Sequence, residues 1–320
     1  MLKKIRIVAL LAAGLLAGHT ALADKFPSQP IKLVLGFGVG GGADAVARLY
    51  AQKLGQVLGT SVVVENKAGA YEQIAGQAVA TAKPDGYTLW LATTGGTVQA
   101  PLLKKLPYDP LNLTHVGVIA EADAVLAVKN GFPARNVAEL IEYAKKNPGA
   151  INFGSAGTGA PSHLLLEYVQ AVTGTKMTHI PFKSAGDVVR ELAAGTIDIA
   201  IAVPASAVPL IQDGKFRAIA VTSPTRLKAL PDVPTLEEGG VAELKGMGVY
   251  AFYAILGPAG MPADVTRTLN AAFNKISQDP DVLQKAEMMN FRAVTGTSEG
   301  FTARIKRESQ QWNQIAQAIK

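Results

Sequence analysis

The sequence predicts an α/β fold, and three observations carry that prediction. Short apolar, β-branched runs alternate with stretches of helical period, as Ile31 to Leu35 does with Ala43 to Leu58. Glycine and proline turns separate the runs, and the 32 Gly and 18 Pro follow no repeat period, which excludes collagen-like and solenoid architectures. Strands alternating with helices imply a mostly parallel sheet flanked by helices, with ligands at the carboxyl ends of the strands. A length of 320 residues suggests roughly two domains.

The elements follow in order. Ile31 to Leu35 reads as a strand that runs into a glycine turn, and Val46, Leu49, Tyr50, Leu54 and Val57 give the next segment its helical period. Ser61 to Glu65 is the second strand; Pro84-Asp85-Gly86 is a turn and Tyr87 to Ala92 another strand. Val137 to Lys146 is a helix stopped by Pro148-Gly149, and Ile151 to Phe153 a strand. Helix Asp187 to Ala194 and strands Ile197 to Val203 and Arg217 to Thr222 continue the alternation. Near the end, Phe301, Ile305, Trp312, Ile315 and Ile319 share one helical face, with Ser298 as the expected N-cap.

Residues 1–23 read as a cleaved secretory signal. Lys3, Lys4 and Arg6 precede the apolar run Ile7 to Leu16, and Ala21-Leu22-Ala23 supplies the small residues of a cleavage site before Asp24. About ten apolar residues span only half a bilayer, so this is no membrane anchor. With no Cys, there are no disulfides, no thiolate metal sites and no cysteine nucleophile. The net charge of +6 falls to about +3 once Lys3, Lys4 and Arg6 leave with the signal. The remaining charges are of mixed sign, as at Arg304, Lys306, Arg307 and Glu308, and read as a solvated surface rather than a nucleic-acid patch.

Gly36-Phe37-Gly38-Val39-Gly40-Gly41 matches G-x-G-x-x-G after a strand and before a helix, and Glu65 stands near where a dinucleotide fold places its ribose-binding acid. An exported α/β enzyme holding a dinucleotide through this loop is therefore the alternative reading. The signal lacks a twin-arginine pair, however, so the chain is expected to be exported unfolded, without a cofactor. What remains is a glycine turn that lets backbone N–H groups approach an anion at a helix N-terminus. A second segment, Gly154-Ser155-Ala156-Gly157-Thr158-Gly159-Ala160-Pro161-Ser162-His163, repeats that logic after Ile151 to Phe153.

Further along, the same chain carries Val63-Val64-Glu65-Asn66-Lys67, Pro84-Asp85-Gly86-Tyr87-Thr88-Leu89 and Leu106-Pro107-Tyr108-Asp109-Pro110. Leu230-Pro231-Asp232-Val233-Pro234-Thr235 and Gly257-Pro258-Ala259-Gly260 follow in the second half. In this order and spacing the sequence resembles the extracytoplasmic receptors of the tripartite tricarboxylate transporters, the Bug-type solute-binding proteins. The resemblance implies a two-lobed periplasmic binding-protein fold of type II, with two crossovers. Lobe one would be Asp24 to Ala124 plus Tyr250 to Lys320, and lobe two 125–249. It also implies a small carboxylate held in the cleft, delivery to membrane transporter subunits or a sensor, a periplasmic location and no cofactor; a monomer is expected.

Carried over by position, the ligand contacts would be Phe37, Gly41, Ala43 and Asp44 in lobe one, with Thr93, Thr94 and Gly95 walling the cleft. In lobe two they would be Ser155, Ala156, Thr158 and Gly159, with His163 and Lys183 nearby. The chain departs from the family pattern where the usual Pro-Gly-Ala-Gly-Gly-Asn becomes Ala68-Gly69-Ala70-Tyr71-Glu72-Gln73, and where the usual Asp-Asn becomes Ala202-Val203. Tyr71 is thus a candidate to close the cleft or stack on the ligand. Loss of Asp-Asn points to a weakly polar, even aromatic, mono- or dicarboxylate rather than an amino acid or citrate.

No catalytic or metal site is expected. His115, His163 and His179 have no ligand spacing, and Phe153 stands where a G-x-S-x-G elbow around Ser155 needs glycine. His163 reads as a structural residue, and the acid pairs Glu237-Glu238 and Asp279-Asp281 as solvated charges.

Overall fold

A computed structural model describes residues 26–40, 42–103, 105–158, 160–245, 251–289 and 291–319. The signal segment, Gly41, Gly159 and Tyr250 lie outside the described residues.

Two mixed sheets flanked by helices form a two-lobed α/β fold. The first contains β1 (Ile31–Leu35), β2 (Val62–Asn66), β3 (Thr88–Thr93), β4 (Thr114–Ala122), β10 (Ala251–Gly257) and β11 (Arg292–Ala293), in the order β11-β4-β10-β3-β1-β2. The second contains β5 (Val125–Lys129), β6 (Asn152–Ser155), β7 (Thr178–Pro181), β8 (Ile199–Ala202) and β9 (Phe216–Val221), in the order β7-β6-β8-β5-β9. Where strand–helix units succeed one another, β1 pairs in parallel with β2 and β3, and β6 with β7 and β8. The antiparallel half of each sheet comes from the crossovers. The chain leaves the first sheet after β4 and returns as β10, which runs antiparallel between β3 and β4. Likewise β5 enters the second sheet antiparallel to β8 and β9. The two crossing segments meet where Thr222 Oγ1 accepts from the Ala124 N–H at 2.8 Å.

Strand alternation decides which helix covers which face. Leu33, Leu35, Leu89 and Leu91 pack with α1 (Gly42–Leu58) and α8 (Ala263–Ser277), while Val34, Trp90 and Ala92 turn to α2 (Gln73–Ala80) and the last helix, Ser298–Ile319. In the second lobe Leu126, Val128, Ile199 and Ile201 face α4 (Val137–Lys146) and α5 (Pro161–Thr173). Val125, Ala127, Ala200 and Ala202 face α6 (Ala185–Ala194) and α7 (Pro204–Gln212). Two further helices, α3 (Ala100–Leu103) and α9 (Pro280–Met288), precede the last helix, α10.

Three readings need correction. Ser298 is not the cap of α10: its hydroxyl donates to the Val116 carbonyl at 2.8 Å, and the Gly300 N–H donates instead to Thr297 Oγ1 at 3.0 Å. Asp279 and Asp281 are not merely solvated, because both pair with Lys53 of α1, at 2.9 and 3.0 Å. Arg304 is largely buried, its guanidinium 5.0 Å from the Phe252 ring centroid and bonded to Glu121 and Glu308. In each case packing against a distant element captured a group whose role the local sequence pattern assigns to the cap or to water.

Candidate functional site

Parallel pairing puts the loops after β1, β2 and β3 at one edge of the first sheet, and those after β6, β7 and β8 at one edge of the second. Buried side chains tie each set together.

In the first lobe the glycine turn rests on Asp44, in the first turn of α1 and 3% exposed. Its Oδ2 accepts from the Gly40 N–H at 3.0 Å and from Arg48 Nε at 2.9 Å; Oδ1 accepts from Asn66 Nδ2 at 2.9 Å. Asn66 Nδ2 also donates to the Phe37 carbonyl at 2.9 Å, joining the loops after β1 and β2. Asp44 therefore spends its carboxylate on the turn itself, where the helix dipole also favours its charge. Arg48 foremost, then the Gly40 and Asn66 donors, hold its carboxyl down at about 2. Gly38, Gly40 and Gly42 have open space where a Cβ would stand, so the backbone there is approachable. Phe37 is 38% exposed and Ala43 half-buried against the core.

A carboxyl with a lowered folded pKa contributes stability above its unfolded pKa and loses it as pH falls through the folded value. Asp44→Asn is therefore expected to be less stable than wild type at pH 7, by about 2 kcal/mol for hydrogen bonds that lose their charged acceptor. The gap should close between about pH 4 and pH 2, as wild-type Asp44 itself protonates. Urea midpoints measured across that window check it, and a gap independent of pH would contradict the assignment.

The loop after β2 holds Ala70, Tyr71 and Glu72 at φ 49, 54 and 66°, three successive left-handed residues without a glycine. Tyr71 is 56% exposed. Glu72 turns inward, 3% exposed, and reaches the carboxyl end of β3. One oxygen accepts from the Thr93 N–H at 3.2 Å, and the other from the Gly96 N–H at 3.0 Å and the Thr93 hydroxyl. Gly95 is half-buried beside it. Thr94 turns the other way, its hydroxyl accepting from the Phe252 N–H at 2.9 Å.

In the second lobe Ser155 ends β6, fully buried, with its hydroxyl 2.6 Å from His179 Nε2 on β7 and donating to the Gly157 carbonyl at 3.0 Å. His163 lies on His179 with centroids 3.9 Å apart, and Phe153 stacks on His179 at 4.9 Å. Burial first, then the neighbouring imidazole, pushes His179 down to about 4; burial also lowers His163. Both rings are neutral at pH 7, and the buried Ser155 hydroxyl is closed to a substrate. The Ala156 N–H donates to Ser162 Oγ at 3.3 Å, while Thr158 and Lys183 are exposed. Ala202 places its methyl in the core between β8, α6 and α7; Val203 caps α7 with extended backbone.

Glu65, the candidate ribose acid, is instead paired with Lys32 at 3.0 Å and Lys67 at 2.6 Å. Among the described residues there is no cluster of three or more His, Asp or Glu able to hold a metal, and no helix is long and apolar enough to cross a membrane. A cavity of about 530 Å³ opens beside the crossover, lined by Asp123, Pro204, Ser223, Arg226, Phe291 and Arg292, and none of the candidate ligand contacts lines it. Sequence reading missed the parts played by His179, Asn66 and Arg48, whose signals are single residues joined only by folding. Glu72 did leave a signal, as a charged side chain where the pattern expects glycine.

Residues 46–320 match the model of the tripartite tricarboxylate transporter family receptors. A UPF0065 protein of Bordetella pertussis is 39% identical over 281 residues, covering 88% of this chain and 85% of that protein. Among solved structures, Rpa4515 of R. palustris with adipate is 29% identical, with a TM-score of 0.70 and 92% and 98% of the two chains covered. MatC from Rhodopseudomonas palustris with bound malate is 27% identical, with a TM-score of 0.68 over 91% and 100%.

Proposed function

Because the chain belongs to the tripartite tricarboxylate transporter receptor family, we propose that it captures a small carboxylate in the cleft between its lobes and delivers it to the membrane subunits of such a transporter. The lobes are taken as 24–124 plus 250–320 and 125–249, meeting at the Ala124–Thr222 crossing. The observation that carries the reading is the open backbone at Gly38, Gly40 and Gly42, held from beneath by Asp44, at the N-terminus of a 17-residue helix. The loop after Ser155 supplies the other half, beside the partly exposed imidazoles of His163 and His179, which pack on the buried Phe153 ring and are uncharged at neutral pH. Binding of adipate and malate by the two relatives supports the carboxylate class. The neutral second-lobe wall favours a weakly polar mono- or dicarboxylate. The signal at 1–23 directs the chain to the periplasm, where it acts as a monomer without a cofactor.

Protein stripped of co-purified ligand by unfolding and refolding should be stabilised by one or a few of adipate, malate, hexanoate and benzoate. A ligand at about 100 times its dissociation constant adds roughly 2.7 kcal/mol, a readily visible thermal shift. Citrate or aspartate binding tightest would refute the ligand class. Stabilisation only by NAD or FAD would refute the receptor reading.

A further inference from the structure

Glu72 is a buried carboxyl on the carboxyl edge of the first lobe that the proposed ligand contacts leave unused. It is 3% exposed, its carboxyl enclosed by the Thr93 N–H, the Thr93 hydroxyl and the Gly96 N–H. These donors sit at the carboxyl end of β3, where open α/β sheets present backbone groups to ligands. Backbone from two other loops closes on the same side chain. A Cβ at Gly36 would stand 2.5 Å from Glu72 Cγ, and one at Gly96 would stand 2.9 Å from its Cδ. Glu72 and the two residues before it are held at positive φ, and such strain persists where surrounding structure over-determines it, often at ligand sites.

We propose that Glu72 is a built-in anion. Its carboxylate fills the donors at the end of β3, so the first lobe accepts one external carboxylate group, at the Gly38–Gly42 turn, and binds it together with one proton taken up by Glu72. The proposal rests on the receptor reading above. Two carboxylates on one edge, in a partly dry environment, repel each other, and the one closer to neutrality takes up a proton. Burial raises Glu72 to about 7 against the pull of its Thr93 and Gly96 donors, so a nearby anion has little left to overcome. The titratable groups facing it from other elements are Tyr108, in the segment before β4, and Tyr253 on β10. Both are phenols pushed up first by burial and then by the charge of Glu72, and so stay neutral. Among the described residues no Lys, Arg or His pairs with it. The balance is one ligand carboxylate plus Glu72 carboxylate plus one solvent proton, giving bound carboxylate beside a protonated Glu72.

Calorimetric titration of the stripped full-length protein with adipate, malate, hexanoate and benzoate tests this, in two buffers of different ionisation enthalpy between pH 6 and 9. The wild type should take up a measurable fraction of a proton per ligand near pH 8, at most one, and lose up to about tenfold in affinity per pH unit above pH 7. Glu72→Gln should take up none and bind with a flat pH profile. Glu72→Gly, which frees the three donors, should shift the adipate-to-hexanoate affinity ratio toward adipate by about tenfold, the worth of roughly one hydrogen bond to a charged group. The proton count uses the wild-type chain alone and survives a variant that fails to fold. Carboxylate binding without proton uptake, with the same pH slope in wild type and Glu72→Gln, overturns the proposal and leaves the receptor reading standing. No binding of any of the four acids to wild type or Glu72→Gln overturns both.

Discussion

Arg304→Ala is expected to cost about 3 kcal/mol of folding stability, read as a lower urea midpoint at pH 7, because it strips a buried carboxylate of one of its two cations. Glu121, 8% exposed, lies near the end of β4, just before the chain crosses to the second lobe. Arg304 donates from Nη1 to one of its oxygens and from Nε to Glu308 at 2.7 Å, and its guanidinium covers the Phe252 ring. Arg292 holds the other oxygen at 2.5 Å, which is why the loss stays at the low end of the range for a broken buried pair. Arg304→Lys keeps the charge but not the planar fork, and should recover only part of the loss. A change under about 1 kcal/mol for Arg304→Ala would mean the group behaves as an exposed ion pair.

Gly36→Ala should cost about 2 kcal/mol by overpacking. The added methyl would meet Glu72 Cγ at 2.5 Å, Cβ at 2.6 Å and Cα at 2.9 Å, so neither a rotamer change nor a small loop shift relieves it. The double variant Gly36→Ala with Glu72→Gly removes the side-chain clashes and the left-handed glutamate, leaving only the close approach to the backbone at position 72. It should show a coupling of about 1 kcal/mol, the size found for residues that touch directly. Strict additivity in denaturation midpoints would place the two residues apart and contradict this packing of the first-lobe edge.

Much of the fold is legible in the sequence because local signals agree with one another. The helix Val137–Lys146 is legible to the residue: Asn136 accepts from the Glu139 N–H at 2.9 Å, and the Asn147-Pro148-Gly149 turn stops it. Strands β1, β2, β3 and β6 are legible to within one or two residues, since their apolar runs end in glycine or polar turns. The alternation of strand and helix does not reveal β4, β5 or β10, whose order in the sheets depends on antiparallel partners. β10 lies between β3 and β4, more than 120 residues away along the chain, and no local period records that. The site divides the same way. Both glycine loops can be read from residue order, whereas the ties beneath them cannot. Asp44 with Asn66, Glu72 with Thr93, and Ser155 with His179 each bring together residues from different elements.

The sequence by itself determined the α/β class, the place of the two glycine-rich loops, and the family, because helical period, glycine turns and ordered motifs are local properties of the chain. Only the tertiary structure decided which charges are available to a ligand. Asp44, Arg304 and Asp279 are captured by partners on other elements (Asn66, Glu121 and Lys53), and Ala202 is drawn into the core. Glu72, enclosed by donors at the carboxyl end of β3, is raised by burial to about 7. Burial and the geometry of surrounding donors set the free energy of a charge, and both appear only when residues far apart in sequence pack together.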